Sequence, residues 1–176
     1  MVRASERAAR VIAQLLALVR AEGASTAFTP VDLGALAQDR LAALGALAAR
    51  RQVELELDAE PGVRVSGQLD LLVSLLDNLI DNAVKYSPPA ATVRVQVRRA
   101  GSHARLSVHD QGPGIPVPLR ERVFDRFYRA PDQTESGSGL GLAIVRANAQ
   151  RHGARVRLAD GEGARGLVVT VSFPHL

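Results

Sequence analysis

Residues 76–86 read Leu76-Asp77-Asn78-Leu79-Ile80-Asp81-Asn82-Ala83-Val84-Lys85-Tyr86, and Ser87-Pro88-Pro89 closes the run. Together with Leu72, the residues Leu76, Leu79, Ile80 and Ala83 recur at three- and four-residue spacing, which predicts a helix with one apolar face. The helix is expected from about Leu69 to Tyr86, because the residue before a proline is pushed out of the helical region. At about 100° per residue, Asn78, Asn82 and Lys85 share an arc of roughly 60° on the other side. Two amides and an ammonium on one stripe suit phosphate oxygens and a magnesium ion, which takes few protein oxygens and keeps several waters. A polar solvated face is the alternative for this helix taken alone. The chain has 21 arginines but a single lysine, three asparagines and two tyrosines. That four of those six scarce residues fall within nine positions makes this helix the first place to seek chemistry.

Outward from it, alternation takes over. Thr92–Arg98 and Ala104–Asp110 read as two strands joined at Ala100-Gly101-Ser102. On the other side, Val53, Leu55 and Leu57 alternate with acidic residues, and Val63-Arg64-Val65-Ser66 repeats the pattern after Pro61-Gly62; these are expected to form an antiparallel pair. An Ala/Leu-rich helix over about 33–50 is capped by Asp32, and Phe28-Thr29-Pro30-Val31 reads as an extended connector. Residues 2–22 show an amphipathic helical pattern. Beyond residue 110 lies a long stretch rich in Gly, Pro, Ser, Asp and Arg, with one short helical piece near Pro118–Phe127; such a stretch inside a domain is usually functional, often a lid. A helix near Leu140–His152 and strands near Arg155–Leu158 and Leu167–Phe173 complete the chain. Strands with segregated helices imply an α+β fold: a two-layer α/β sandwich, one mixed sheet covered on one face by helices, with an additional N-terminal helix.

Two further stretches carry chemistry. Asp110-Gln111-Gly112-Pro113-Gly114-Ile115 places a carboxylate at a strand end, where it can accept from a ligand amine while the glycines admit close backbone approach; a plain turn is the alternative. Gly137-Ser138-Gly139-Leu140-Gly141-Leu142 runs straight into an apolar helix, whose free N–H groups and dipole favour a phosphate. It is not the dinucleotide fingerprint, since the spacing after Gly139 is wrong and a loop precedes it. A flexible linker is the alternative there.

Length and composition set the outer limits. A chain of 176 residues is one domain, or one domain with a short appendage. The absence of cysteine excludes a disulfide framework, a thiolate metal site and a cysteine nucleophile. No run of about 18 apolar residues occurs, and the N-terminus is too polar for a signal peptide. The formal charge of +4 invites nucleic acid, but the basic residues are scattered and aromatics are 3%, so stacking platforms for bases are nearly missing.

In this order, with Phe124-Asp125-Arg126-Phe127-Tyr128-Arg129 before the last, these stretches resemble the catalytic ATP-binding domain of sensor histidine kinases, a branch of the Bergerat-fold ATPases. Residues 78–88 look like the family's N box, 110–114 its first glycine box, 124–129 its F box and 137–142 its second glycine box. The resemblance covers about 29–174 and implies ATP and Mg²⁺ as ligands. It implies that Asn82 ligates magnesium, that Asn78 and Lys85 address phosphates, and that Tyr86 packs beside adenine. Asp110 would accept from the adenine amino group, with Gly112, Gly114 and Ile115 shaping the pocket. Residues 115–139 would form a lid, Arg126 and Arg129 would face phosphates, and Gly137, Ser138, Gly139, Leu140, Gly141 and Leu142 would approach the triphosphate. The family's closing GTTF-type segment reads Gly166-Leu167-Val168-Val169 here, without its hydroxyls. Gyrase-type relatives carry a Glu where this chain has Asn78, and an amide cannot activate water, so transfer rather than hydrolysis is implied.

The family's acceptor is a His on the first helix of a dimerisation hairpin. None of His103, His109, His152 and His175 has the matching surroundings, while residues 1–24 resemble the second hairpin helix. The resemblance therefore implies a protein-histidine kinase domain inactive alone, with a hairpin of the same protein in cis or trans, a response regulator and a homodimer as partners, and no nucleic acid. It implies a cytoplasmic domain of a protein anchored in the bacterial inner membrane. An anti-sigma-type serine kinase and a non-catalytic nucleotide-gated module are the rival readings.

Overall fold

The computed structural model describes residues 27–130, 135, 137–162 and 165–174; the helix expected over 2–22 lies outside them. The first elements are strand β1 (Thr29–Asp32), helix α1 (Leu33–Arg50), strands β2 (Glu54–Ala59) and β3 (Arg64–Gly67), and helix α2 (Leu69–Tyr86). Strands β4 (Thr92–Ala100) and β5 (His103–His109), helix α3 (Gly141–Arg151), and strands β6 (Arg155–Asp160) and β7 (Leu167–Pro174) follow. Five strands form one mixed sheet in the order β2-β4-β5-β7-β6, with β2 and β4 parallel and the other pairs antiparallel.

Alternation decides which face of that sheet is covered. Val93, Val95 and Val97 on β4, Leu106 and Val108 on β5, and Val169, Val171 and Phe173 on β7 are buried. They meet Leu72, Leu75, Leu76, Leu79, Ile80 and Ala83 of α2 in one core. The polar stripe of α2 is thereby turned along the sheet and away from it. Helix α1 starts where expected, Asp32 accepting from Ala35 N at 3.0 Å, and Arg40 donates to Asp77 at 2.8 Å to fix α1 against α2.

The expected β2–β3 hairpin does not form. β2 pairs in parallel with β4, Leu55 opposite Val93, and β3 pairs with β1, Val31 opposite Val65, in a separate two-stranded sheet. The residues read as a connector before α1 are thus a strand. Parallel pairing needs a long crossover, and here it is the β3–α2 segment, so the Pro61-Gly62 turn redirects the chain instead of closing a hairpin. Near 118–127 the chain makes two short 3-10 turns, Val117–Leu119 and Arg122–Phe124, in place of one helical piece.

Candidate functional site

One cleft opens between the polar stripe of α2, the C-terminal end of β5, the start of β7 and the loop before α3. Asn78, Asn82, Lys85, Tyr86, Asp110, Gly114, Ile115, Arg129, Gly137, Ser138, Gly139, Gly141 and Leu142 all line it. Sequences more than sixty residues apart are therefore brought to one place.

At one end sits Asp110, half-buried at the end of β5. Its Oδ1 accepts from Gly112 N at 2.9 Å and from Leu167 N at 3.0 Å, and its own N–H donates to Leu167 O at 2.9 Å. Its Oδ2 accepts from no protein group among the described residues, so one oxygen is locked and the other is offered to the cleft. Burial pushes the Asp110 pKa up, opposed by the N–H groups of Gly112 and Leu167. Residues 166–169 lack hydroxyl side chains, and the fold engages that segment through its backbone. Gly166 has φ +80, and a Cβ there would lie 1.9 Å from Asp110 O. Only glycine passes so close in that conformation. Gly112 does not line the cleft, but its N–H is half of what holds the carboxylate.

The other end is polar and less tied. Asn78 Nδ2 donates to Ser74 O at 2.7 Å, which turns its carbonyl outward. The Asn82 side chain has no hydrogen bond among the described residues. A Cβ on Gly141 would lie 3.0 Å from Asn82 Nδ2 and 3.4 Å from Asn78 Oδ1, so the first turn of α3 rests on both amides. Lys85 Nζ donates to Tyr86 Oη at 3.0 Å and lies 4.5 Å from the Tyr86 ring centre. Hard, uncommitted amide oxygens beside an ammonium are a donor set that fits a magnesium–phosphate group.

The loop between β5 and α3 divides in two. Its first part is anchored: Val123 and Phe124 are buried, Arg146 of α3 lies 4.2 Å over the Phe124 ring and donates to Glu121 at 3.0 Å, and Arg120 pairs with Asp160. Phe127 N donates to Gly139 O at 3.0 Å, joining the two glycine- and phenylalanine-bearing stretches at the loop's base. Gly139 has φ +72, and a Cβ on it would come within 2.7 Å of the Phe127 backbone. Arg129 Nη2 donates to Glu135 O at 2.7 Å, and Arg51 reaches Glu135 with both terminal nitrogens, at 3.3 and 3.1 Å. That pair, and Asp81 in the cleft wall, were not identified from sequence; nothing local to Arg51 or Glu135 signals a partner 84 residues away. Arg126 is exposed and does not line the cleft, and Leu140 is fully buried against Ile144. Neither is among the residues that line the cleft.

Residues 67–176 match the model of the family described as histidine kinase-, DNA gyrase B-, and HSP90-like ATPase. The chain belongs to this family. It is the ATP-binding catalytic domain of its sensor histidine kinase branch, as its relatives make plain. It is 36% identical over 97% of its length to the swarming motility regulation sensor protein RssA of Serratia marcescens, and 38% identical over 98% to the sensor protein kinase PmrB of Pseudomonas aeruginosa. It spans 37% and 36% of those two proteins. Among solved structures, the mycobacterial sensor histidine kinase MprB superposes with a TM-score of 0.74 at 35% identity, over 84% of this chain and 97% of that one.

Proposed function

We propose that this domain holds Mg-ATP and presents its γ-phosphate to a histidine on a separate helical hairpin of the same protein, in cis or trans within a homodimer, from which a response regulator is then phosphorylated. In the transfer, the bond between the γ-phosphorus and its bridging oxygen breaks, a nitrogen–phosphorus bond forms on the acceptor imidazole, and ADP leaves. Such catalysis is mostly positioning and charge neutralisation. Asp110 Oδ2 accepts from the adenine amino group, and Tyr86 flanks the base. Lys85 and the first turn of α3 stabilise phosphate charge. Asn82 offers its carbonyl to magnesium, which supplies neutralisation of the phosphate oxygens when bound. Asn78 has no proton-accepting carboxylate, so water is not activated in competition with the acceptor.

The observation that carries this reading is that one cleft joins a carboxylate with a single free oxygen to a stripe of two amides with open carbonyl oxygens and an ammonium. Two of the chain's own histidines are already engaged within the fold. His152 Nδ1 donates to Asn148 O at 2.6 Å while Nε2 accepts from Gln68 N at 3.0 Å, and His109 bonds Ser107 at 3.0 Å. His175 lies outside the described residues. Described helices include none long and apolar enough to cross a membrane, and anchoring of the longer protein in the inner membrane belongs to the proposal. The test is calorimetry with ATP and GTP, with and without magnesium, followed by γ-labelled ATP with and without a hairpin bearing an acceptor histidine. ATP should bind better than GTP, and label should enter only the hairpin. Absence of binding at millimolar nucleotide, or stoichiometric acid-labile labelling of the 176-residue chain alone, would overturn it.

A further inference from the structure

The sheet face turned away from the helices is divided by charge. On its β2–β4 half both arginines meet a carboxylate: Arg94 donates to Glu56 at 2.9 Å, and Arg98 pairs with Asp58. On the β5–β7–β6 half the register places Arg105 opposite Ser172, Ser172 opposite Arg155, and Thr170 opposite Arg157. Arg105, Arg155 and Arg157 are exposed and have no ion pair or side-chain hydrogen bond among the described residues. The nearest carboxylate on β6, Asp160, points to the other face and is taken by Arg120.

Two of these arginines have a mundane explanation, since charged side chains on an edge strand such as β6 discourage pairing with another chain. Arg105 does not. It lies on a central strand directly opposite Arg98, and like charges directly opposite each other destabilise a sheet. Arg98 is satisfied by Asp58, which leaves Arg105 as surplus positive charge that nothing in the described fold offsets. A local rule broken without internal compensation is a mark of function.

We propose that Arg105, Arg155 and Arg157, with Thr170 and Ser172 between them, form a docking surface for an acidic segment of another protein. Guanidinium forks match carboxylates bidentately, and the hydroxyls supply short-range polar contacts between the forks. A long polyanion fits worse, because Glu54, Glu56 and Asp58 occupy the other half of the same face and Glu162 acts on Arg94 and His109 beside it. A membrane fits worse too: the exposed large apolar side chains, Phe28, Leu57, Leu69, Val117 and Phe127, all lie off this face.

The experiment is a titration of the isotope-labelled 176-residue chain with a hexaglutamate peptide, read by amide NMR shifts. Shifts should concentrate at residues 104–107, 155–158 and 169–173, shrink as salt rises, and weaken tenfold or more in the triple variant R105Q/R155Q/R157Q, whose ATP affinity should equal that of the parent. Shifts elsewhere, undiminished binding by the triple variant, or tighter binding to phosphatidylglycerol vesicles or duplex DNA than to the peptide would each overturn the assignment.

Discussion

The two ends of the cleft are built on different principles. At the Asp110 end every group but one is committed to backbone: Oδ1 takes two N–H donors, the Asp110 N–H is paired with Leu167, and Gly166 threads between them with no room for a methyl group. At the Asn82 end the Asn82 side chain has no hydrogen bond among the described residues, Asn78 is tied only through its amide nitrogen, and Glu135 pairs with Arg51 across an exposed contact. The difference teaches how one site can be selective and yet turn over. A rigid end discriminates, because a misplaced donor leaves a buried polar group unsatisfied; an end with fewer fixed partners is able to close on charge and release it.

The strongest way to break the rigid end is Gly166→Ala. The substitution meets both a left-handed φ and the 1.9 Å contact with Asp110 O, so the β5–β7 join must shift. A loss of 3 kcal/mol or more, about the upper range for backbone strain, is expected in chemical denaturation, with ATP binding lost. Gly101→Ala is the control: φ is +59 but nothing lies within 4 Å of the added Cβ, so it should cost only about 1 kcal/mol and leave binding intact. Equal losses in the two variants would show that the Asp110 end is not sterically specified.

Next in size is Asp110→Ala, which removes the oxygen proposed to read the base, together with the Oδ1 acceptor of the Gly112 and Leu167 N–H groups, without crowding. A charge-assisted hydrogen bond is worth about 1.5–3 kcal/mol, so ATP affinity should fall roughly tenfold or more while GTP affinity changes little. The same group sets a pH dependence. Burial raises its pKa in the folded protein, so its acceptor form is lost on acidification at a higher pH than for an exposed aspartate. ATP affinity measured by calorimetry should therefore decline at a higher pH in the parent than any residual affinity does in the variant. Coincident profiles would remove Asp110 from base recognition.

These two effects also mark what could be read from the chain before its structure. The helix of residues 69–86 was legible because its apolar period is long and its stop is a double proline. Asp110 was legible because a carboxylate closes an alternating run. The partner of β2 was not, since Leu55 and Leu57 have the same alternation whether they pair with the adjacent strand or with one across a helical crossover. Nor was the closing of the site by residues 166–167, which act through backbone N–H and C=O groups that every non-proline residue has. What sequence marks is side-chain chemistry; what it hides here is backbone contact and distant charge.

The loop offers the third measurement. Hydrogen exchange should separate the anchored part, around Val123 and Phe124, from the part near Gly137 and Ser138. The first should be slow with or without nucleotide, and the second fast alone and slowed by Mg-ATP. Uniform exchange from 115 to 139 would dissolve the division of the loop.

The smallest effect concerns Arg51 and Glu135. Their side chains are 44% and 36% exposed, and solvent-accessible ion pairs contribute about 0–1 kcal/mol, so Arg51→Gln should leave the thermal midpoint nearly unchanged. Its consequence is electrostatic. The Glu135 carboxyl is held below its ordinary pKa first by its hydrogen bond to Arg51, with the Arg51 and Lys85 charges adding to this, which sets a negative charge in the field of the lysine proposed to address phosphate. Without Arg51 that charge is uncompensated and opposes an incoming triphosphate. Arg51→Gln should thus weaken ATP binding about two- to threefold at low salt, within the energy an exposed pair carries, and the loss should fade as salt screens it. Glu135→Gln should strengthen binding slightly, and the double variant should return close to the parent. If Arg51→Gln and the double variant weaken binding equally, Arg51 acts on the phosphates directly, and the loose end is held by something other than this pair.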